Sequence, residues 1–424
     1  MNDIETRYLL VGFSVAGWWC ARTIRERDRK GKIVAITKEN GIYSPPLFTY
    51  YLGNRVSDIR YRPEWIENLD LDLIYGGEAK TLEKENNRLI LSSGESFVFE
   101  KALIATGGLP VAPPLPGKEL EGVFTFTTPR DMQKVSEFMK HHRVERVTIL
   151  GGGFIGLKTA EAFIELGVKV TLVELANRLL QNMLDEKSSY YLESALNRAG
   201  VEVIKEDTIV EFQGQGGKLT DAILKSGEHL PSDLAVIAIG VRPNIDWLRG
   251  SGIEINRGII VDEFQQSQRP DIFAAGDIAE TKNLITGERN VVAIWPEAVK
   301  QGKVAGENMT GSRVSYPGSL PVNTVSVGEV ALISAGLVNP PLGDFELLTE
   351  VTNDSYRKLV LKDGYLVGMI LVNKIEKAGI YINLIRQKVK VDDFKDRLLK
   401  EDFGMISLPA EYRKHLVEGA SIEV

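Results

Sequence analysis

The chain has 424 residues, 43% of them hydrophobic, a single cysteine and a formal net charge of −7. Its length predicts two to three domains, each able to bury a core. Cys20, standing alone, excludes an internal disulfide, a CxxC redox pair and a cysteine-held iron–sulfur cluster within the chain. The acidic balance argues against a nucleic-acid partner. His141, His142, His229 and His415 fall outside any ligand spacing, so no metal site is expected.

The apolar run at 8–21 follows Asp3 and Glu5 rather than a basic segment, which reads as a strand and turn and not as a signal sequence. No apolar run reaches the ~18 residues of a membrane span, and a cytoplasmic protein is expected. A strand at 8–11, a glycine turn, a helix at 16–29 and a strand at 33–37 make one βαβ unit. A strand at 146–150, the turn 151–156, a helix at 155–166 and a strand at 168–174 make another. This recurrence predicts two nucleotide-binding domains in a parallel-sheet α/β chain. Between the units, 79–91 alternates around Glu85-Asn86-Asn87 and reads as a hairpin. The proline-rich stretch 110–117 reads as a crossover between domains, and 241–244, around Pro243, as a second one. After residue 318 the pattern changes to short alternating strands (324–330, 358–362, 365–371) and helical segments (375–388, 392–399), a third, α+β domain.

The strongest motif is Gly151-Gly152-Gly153-Phe154-Ile155-Gly156, which follows an apolar strand and opens a helix. Gly151 permits the tight turn, Gly153 lets the backbone approach a pyrophosphate, and Gly156 lets helix and strand pack closely. Glu174 ends the next strand, where a carboxylate accepts hydrogen bonds from the ribose hydroxyls of NAD and repels the 2′-phosphate of NADP. The first unit carries Gly12-Phe13-Ser14-Val15-Ala16-Gly17, with serine at the middle glycine position and Thr37 at the strand end; Glu39 is the nearest acid. Read alone, it fits a dinucleotide site and a structural turn equally well. Three further segments bear on it: Ala102-Leu103-Ile104-Ala105-Thr106-Gly107-Gly108, Asp271-Ile272-Phe273-Ala274-Ala275-Gly276-Asp277, and Trp295-Pro296-Glu297-Ala298-Val299-Lys300-Gln301-Gly302.

In this order the segments resemble the two-dinucleotide-binding flavoproteins, the pyridine nucleotide-disulfide oxidoreductase superfamily, over nearly the whole chain. The resemblance implies two Rossmann-like domains, the NAD(H) domain (119–245) inserted in a discontinuous FAD domain (1–118 and 246–318), followed by a C-terminal α+β interface domain (319–424). It implies FAD against Gly12, Ser14, Val15, Ala16, Gly17, Glu39, Pro46, Ala79, Ala105, Thr106, Gly107, Gly276 and Asp277. The helix opening at Glu297-Ala298 would point its positive end at the flavin and favour the anionic reduced form. It implies NAD(H), as co-substrate, against Gly151, Gly153, Phe154, Ile155, Gly156, Glu174 and Gly240.

Three departures narrow the chemistry. The stretch 43–52, where thiol-using relatives carry a cysteine, has none, and Cys20 reads as a small buried residue of the first helix. Pro45 stands where relatives often have arginine. Lys158 stands near the nicotinamide where relatives commonly carry glutamate, so either the nicotinamide is held differently or NAD(H) binding is impaired. The flavin then carries the chemistry, with no catalytic side chain required. The expected function is an NAD(H):acceptor oxidoreductase that exchanges hydride between nicotinamide and flavin. Single electrons then pass to or from an iron–sulfur protein or a partner subunit, in an oligomer or hetero-complex. The alternatives are a free-standing NADH-dependent rubredoxin or ferredoxin reductase or NADH oxidase, and a non-catalytic flavoprotein scaffold. Lys300 and Lys303 read as a solvated helix face or as a docking site for an acidic partner.

Overall fold

A computed structural model describes residues 3–61, 63–410 and 412; His415 lies outside them. By compactness the chain divides into two units, Met1–Leu175 with Ile204–Ser319, and Ala176–Val203 with Leu320–Val424.

The first unit begins β1 (Ile4–Val11), α1 (Val15–Arg27), β2 (Ile33–Thr37), α2 (Leu47–Leu52), α3 (Glu64–Glu67), β3 (Asp72–Tyr75), β4 (Ala79–Leu82), β5 (Arg88–Leu91), β6 (Ser96–Ile104) and β7 (Gly108–Pro110). It continues β8 (Val123–Thr125), α4 (Pro129–His141), β9 (Arg146–Leu150), α5 (Phe154–Glu165) and β10 (Lys169–Glu174). The chain passes through α6 (Glu186–Arg198) and β11 (Val201–Lys205) and returns with β12 (Ile209–Gln215), β13 (Lys218–Leu224), β14 (His229–Pro231), β15 (Leu234–Ile237) and β16 (Val241–Pro243). It closes with β17 (Ile259–Ile260), β18 (Ile272–Ala274), β19 (Ala279–Lys282), β20 (Arg289–Asn290) and α7 (Trp295–Met309).

The first sheet runs β3-β2-β1-β6-β5-β4, with β18 also on β6. The neighbours of β1 are both parallel to it, as is β18 to β6. A parallel sheet is covered on both faces, which is why its strands are continuous apolar runs. Tyr8 and Leu10 join Trp18, Ile24 and Phe273 on the face that α1 covers. Leu9 and Val11 join Val34, Ile36 and Ile104 on the other. Each such fully buried side chain contributes about 1.5–3 kcal/mol of transfer free energy. In the second sheet β10-β9-β15-β8 run side by side, all parallel. The hairpin expected at 79–91 is present as β4 and β5. The two crossovers meet: β7 and β16 pair antiparallel, Pro110 opposite Val241.

The second unit holds α6, an antiparallel sheet and a last helix. The strands are β21 (Val322–Val327), β22 (Val330–Gly336), β23 (Glu346–Val351), β24 (Tyr356–Lys362) and β25 (Tyr365–Val372), followed by α8 (Ala378–Arg386). Their order is β21-β22-β25-β24-β23. Asp185 caps α6 and also accepts hydrogen bonds from Tyr356 Oη at 2.7 Å and Lys358 Nζ at 3.0 Å. Two expectations change here. The single strand at 324–330 is a hairpin, because Gly328 turns the chain at φ 54°. The helix at 392–399 shrinks to one 3-10 turn, Lys395–Arg397, between the buried Phe394 and Leu398.

Candidate cofactor sites

Two glycine turns have the same construction. Gly12 and Gly151 end β1 and β9 with φ of 102° and 113°, a conformation that a residue with a Cβ rarely adopts. A Cβ on either would strike a neighbouring carbonyl, that of Ala105 for Gly12 and that of Ala238 for Gly151. Gly17 and Gly156 lie against the carbonyls of Gly12 and Gly151 in turn, so in both motifs the third glycine packs on the first. The middle position differs. A Cβ at Gly153 would meet nothing within 4 Å, which is why the matching place in the first turn tolerates Ser14. Ser14 sits at φ −104° and makes no capping hydrogen bond.

The helices these turns open are left uncapped. Neither α1 nor α5 has a side-chain cap or an acid in its first turn. By contrast, α4 carries a Thr128–Asp131 capping box and α6 an Asp185–Ser188 one. The N–H groups of Val15, Ala16 and Gly17, and of Phe154, Ile155 and Gly156, therefore keep their donors for an external anion.

Acids stand at the matching strand ends. Glu174 Oε2 accepts the Gly152 N–H at 2.6 Å, which fixes the carboxylate beside the turn. Glu39 is half-buried, and burial lifts its carboxyl above the ordinary range. Ala79 opens β4 two residues past Gly77, whose N–H donates to the Thr37 carbonyl at the end of β2. Asp277 is half-buried with no hydrogen-bond partner among the described residues, and burial pushes its carboxyl up to about 6. A part-buried acid without a donor fits a site whose donors arrive with a ligand.

The remaining residues gather at the carboxyl ends of β1, β6 and β18, three neighbouring strands. Ala105, Thr106 and Gly107 follow β6; Thr106 Oγ1 donates to the Asn244 carbonyl at 3.3 Å. Gly276 N–H donates to Gln301 Oε1 at 2.8 Å, tying the Gly276-Asp277 turn to α7. Glu297, in the first turn of α7, is fully buried. It accepts Lys300 Nζ at 2.7 Å and the Tyr316 hydroxyl, and burial with the adjacent Glu297 pushes the Tyr316 phenol up. Ala298 is buried beside it. Trp295 packs its edge on Trp18 at 5.6 Å, and Tyr61 stacks on Trp18 at 4.9 Å. Pro46 lies apart from this cluster in the chain order, at the exposed N-cap of α2. Gly240 sits in the second crossover, its carbonyl accepting the Val111 N–H at 3.0 Å. Tyr316 carries no motif, and only the folded chain brings it to the site; Gln301 lies in the Trp295–Gly302 segment, but the sequence does not foretell its bond to Gly276.

Two sequence readings are sharpened. Cys20 is buried, its thiol 3.6 Å from Met309 Sδ, and burial pushes that thiol well above its ordinary range. Lys300 holds Glu297, and Lys303 Nζ lies 4.2 Å over the Trp19 ring, so neither is a free solvated charge.

Residues 6–302 match the family described as pyridine nucleotide-disulphide oxidoreductase. The chain belongs to this family. Residues 321–389 match the rubredoxin NAD+ reductase C-terminal domain. The chain is 31% identical, over 93% of its length and 95% of the relative's, to the NADH-dependent phenylglyoxylate dehydrogenase subunit epsilon of Aromatoleum evansii. Its fold is similar to the NAD-dependent persulfide reductase from A. fulgidus, with TM-score 0.85 and 26% identity over 91% of this chain and 78% of that one. It is likewise similar to the ferredoxin reductase for the CYP199A2 system from Rhodopseudomonas palustris, with TM-score 0.81 and 25% identity over 90% and 95% of the two chains. As a pyridine nucleotide-disulphide oxidoreductase family member, the protein is an FAD-containing, NAD(H)-dependent oxidoreductase. Among the described residues no helix is long and apolar enough to cross a membrane.

Proposed function

We propose that this protein is the NAD(H)-linked flavoprotein subunit of a larger oxidoreductase, exchanging electrons with an iron–sulfur protein or partner subunit. One observation carries the reading: the only cysteine is buried against Met309, so no thiol stands between the flavin and the acceptor. The likeness to a named subunit of an NADH-dependent dehydrogenase over nearly its whole length supports it.

In this reading the uncapped start of α1, with Gly12, Ser14, Val15, Ala16 and Gly17, holds the FAD pyrophosphate, and Glu39 and Ala79 flank its adenosine end. Asp277 takes donors from the ribityl chain. Ala105, Thr106 and Gly107 line the flavin's approach, Pro46 bounds it, and α7 presents the backbone of Glu297 and Ala298. Bound flavin supplies hydride acceptance and one-electron release. The start of α5, with Gly151, Gly153, Phe154, Ile155 and Gly156, holds the NAD(H) pyrophosphate, and Gly240 borders the nicotinamide half. Glu174 selects NAD(H): its carboxylate is already fixed by Gly152 N–H and would repel a 2′-phosphate. The carboxylate of Glu297 is neutralised by Lys300, so it leaves the positive end of α7 largely intact for an anionic flavin.

Anaerobic titration of the FAD-loaded chain tests this. NADH is expected to bleach the flavin absorbance, with NADPH at least tenfold less effective at equal concentration. The reading is sunk by bound flavin that NADH leaves oxidised. Affinity purification is expected to bring down a subunit with an iron–sulfur cluster. A chain that purifies alone yet reduces soluble ferredoxin or oxygen is instead a free-standing reductase or oxidase.

A further inference from the structure

Five side chains around the first turns of α7 form one buried chain of hydrogen bonds. Glu297, Gln301, Ser319, Thr281 and Tyr316 are each at most 5% exposed. Lys300 Nζ and the Tyr316 hydroxyl both donate to Glu297. Tyr316 Oη lies 2.9 Å from Ser319 Oγ, which lies 2.7 Å from Thr281 Oγ1 and 3.4 Å from Gln301 Nε2. Gln301 Oε1 in turn accepts the Gly276 N–H at 2.8 Å.

The two ends fix the direction of every link. A carboxylate only accepts, so Tyr316 spends its single proton on Glu297. Ser319 then donates to Tyr316, and Thr281 and the Gln301 amide nitrogen donate to Ser319. At the far end the Gly276 N–H only donates, so it faces the Gln301 oxygen. The Gln301 amide is thereby held the same way round from both sides. What it holds is a junction. A Cβ on Gly276, whose φ is 80°, would lie 3.4 Å from the Cβ of Ala16 in the first turn of α1 and 3.7 Å from that of Ala298 in the first turn of α7. Neither helix has a side-chain cap. Two uncapped helix starts thus meet at one turn, and the next residue is Asp277, the part-buried acid with no donor of its own.

We propose that Tyr316 is a positioning residue for the cofactor: through Ser319 and Gln301 it holds the Gly276–Asp277 turn in the conformation that FAD requires. This rests on the FAD reading above and deepens it. Without the phenol, the Ser319 proton loses its acceptor and is free to turn to the Gln301 oxygen. That oxygen is then drawn off the Gly276 N–H, and the turn loosens where the two helix starts meet.

The test is the dissociation constant of FAD, measured by reconstituting the apoprotein and following flavin fluorescence. Tyr316→Phe and Gln301→Met are each expected to weaken FAD about tenfold, the worth of one such hydrogen bond. Because both act on one turn, the double variant should bind FAD within about twofold of Gln301→Met alone. Thr281→Val removes a bond to the same serine but leaves the direction of the chain intact, so its affinity should match the wild type. Thermal melts of the apoproteins establish that each variant is folded, and Ser319→Ala takes the place of Gln301→Met in the cycle if that variant does not fold. Losses that multiply in the double variant, or a Tyr316→Phe protein of wild-type affinity, overturn the positioning role and leave the FAD site standing. A wild-type chain that takes up no FAD overturns the FAD reading, and this inference with it.

Discussion

Asp277 is a costly side chain before a cofactor arrives. Burial lifts its carboxyl to about 6, against about 3.9 for a free aspartate. A raised carboxyl means that the folded chain without FAD binds the proton more tightly than the unfolded chain. Stability from this group is therefore full below about pH 4, is lost as pH rises through 6, and costs the order of 3 kcal/mol above it. Asp277→Asn is expected to stabilise the FAD-free protein at pH 7.5, with the gain fading toward pH 4.5, while weakening FAD binding. Urea unfolding of the two apoproteins across that range checks it, and a gain independent of pH counts against the argument. Glycines speak at the same scale. Gly12 and Gly151 were legible in the sequence because their φ values and the carbonyls beside them allow no other residue. Ser14 was ambiguous because the position is sterically open, as the space around Gly153 shows. Tyr316 was not legible at all, and the role of Gln301 was not, since both depend on contacts made across α7 and the turn at Gly276.

At the scale of elements, α1 and α7 are held together by missing side chains. A Cβ on Gly302 would meet the backbone of Ala16, and one on Gly306 would come within 2.8 Å of the Cys20 carbonyl. Backbone cannot move aside as a flexible side chain can, so Gly302→Ala must part the helices. Overpacking of this kind costs about 1–3 kcal/mol. Because both helices open onto the same cluster of residues, the variant is expected to lose FAD more readily as well as melt lower. Gly379→Ala in α8, where a Cβ meets nothing within 4 Å, should leave both unchanged. Thermal melts and the flavin-to-protein absorbance ratio after gel filtration decide the matter; equal retention of FAD by both variants would refute it. The βαβ units were readable because apolar strands, glycine turns and helix lengths all pointed one way. For β2 and β9 the expected and observed limits agree. The strand β23 and helix α6 were not read. The mostly exposed run of β23, interrupted by Glu346 and Glu350, has no clean apolar alternation to reveal it.

Across the whole molecule, a single thiol makes a simple assay. Cys20 is fully buried on α1, and burial disfavours the thiolate that an alkylating reagent attacks. N-ethylmaleimide is expected to leave the native protein unlabelled and its NADH-driven flavin reduction intact, and to add one equivalent after denaturation. Rapid labelling of the native chain with loss of flavin reduction would restore thiol chemistry to consideration. The pairing of the two crossovers has a different kind of consequence. Residues 108–110 and 241–243 lie side by side, so the chain leaves the first sheet after β6 and comes back from β15 through a single doorway. The stretch between is not self-contained, because α6 leaves it to join the C-terminal sheet, where Asp185 holds Tyr356 and Lys358. One short two-stranded ribbon therefore carries both crossings of the chain, and a cut or a proline in either strand would loosen both at once.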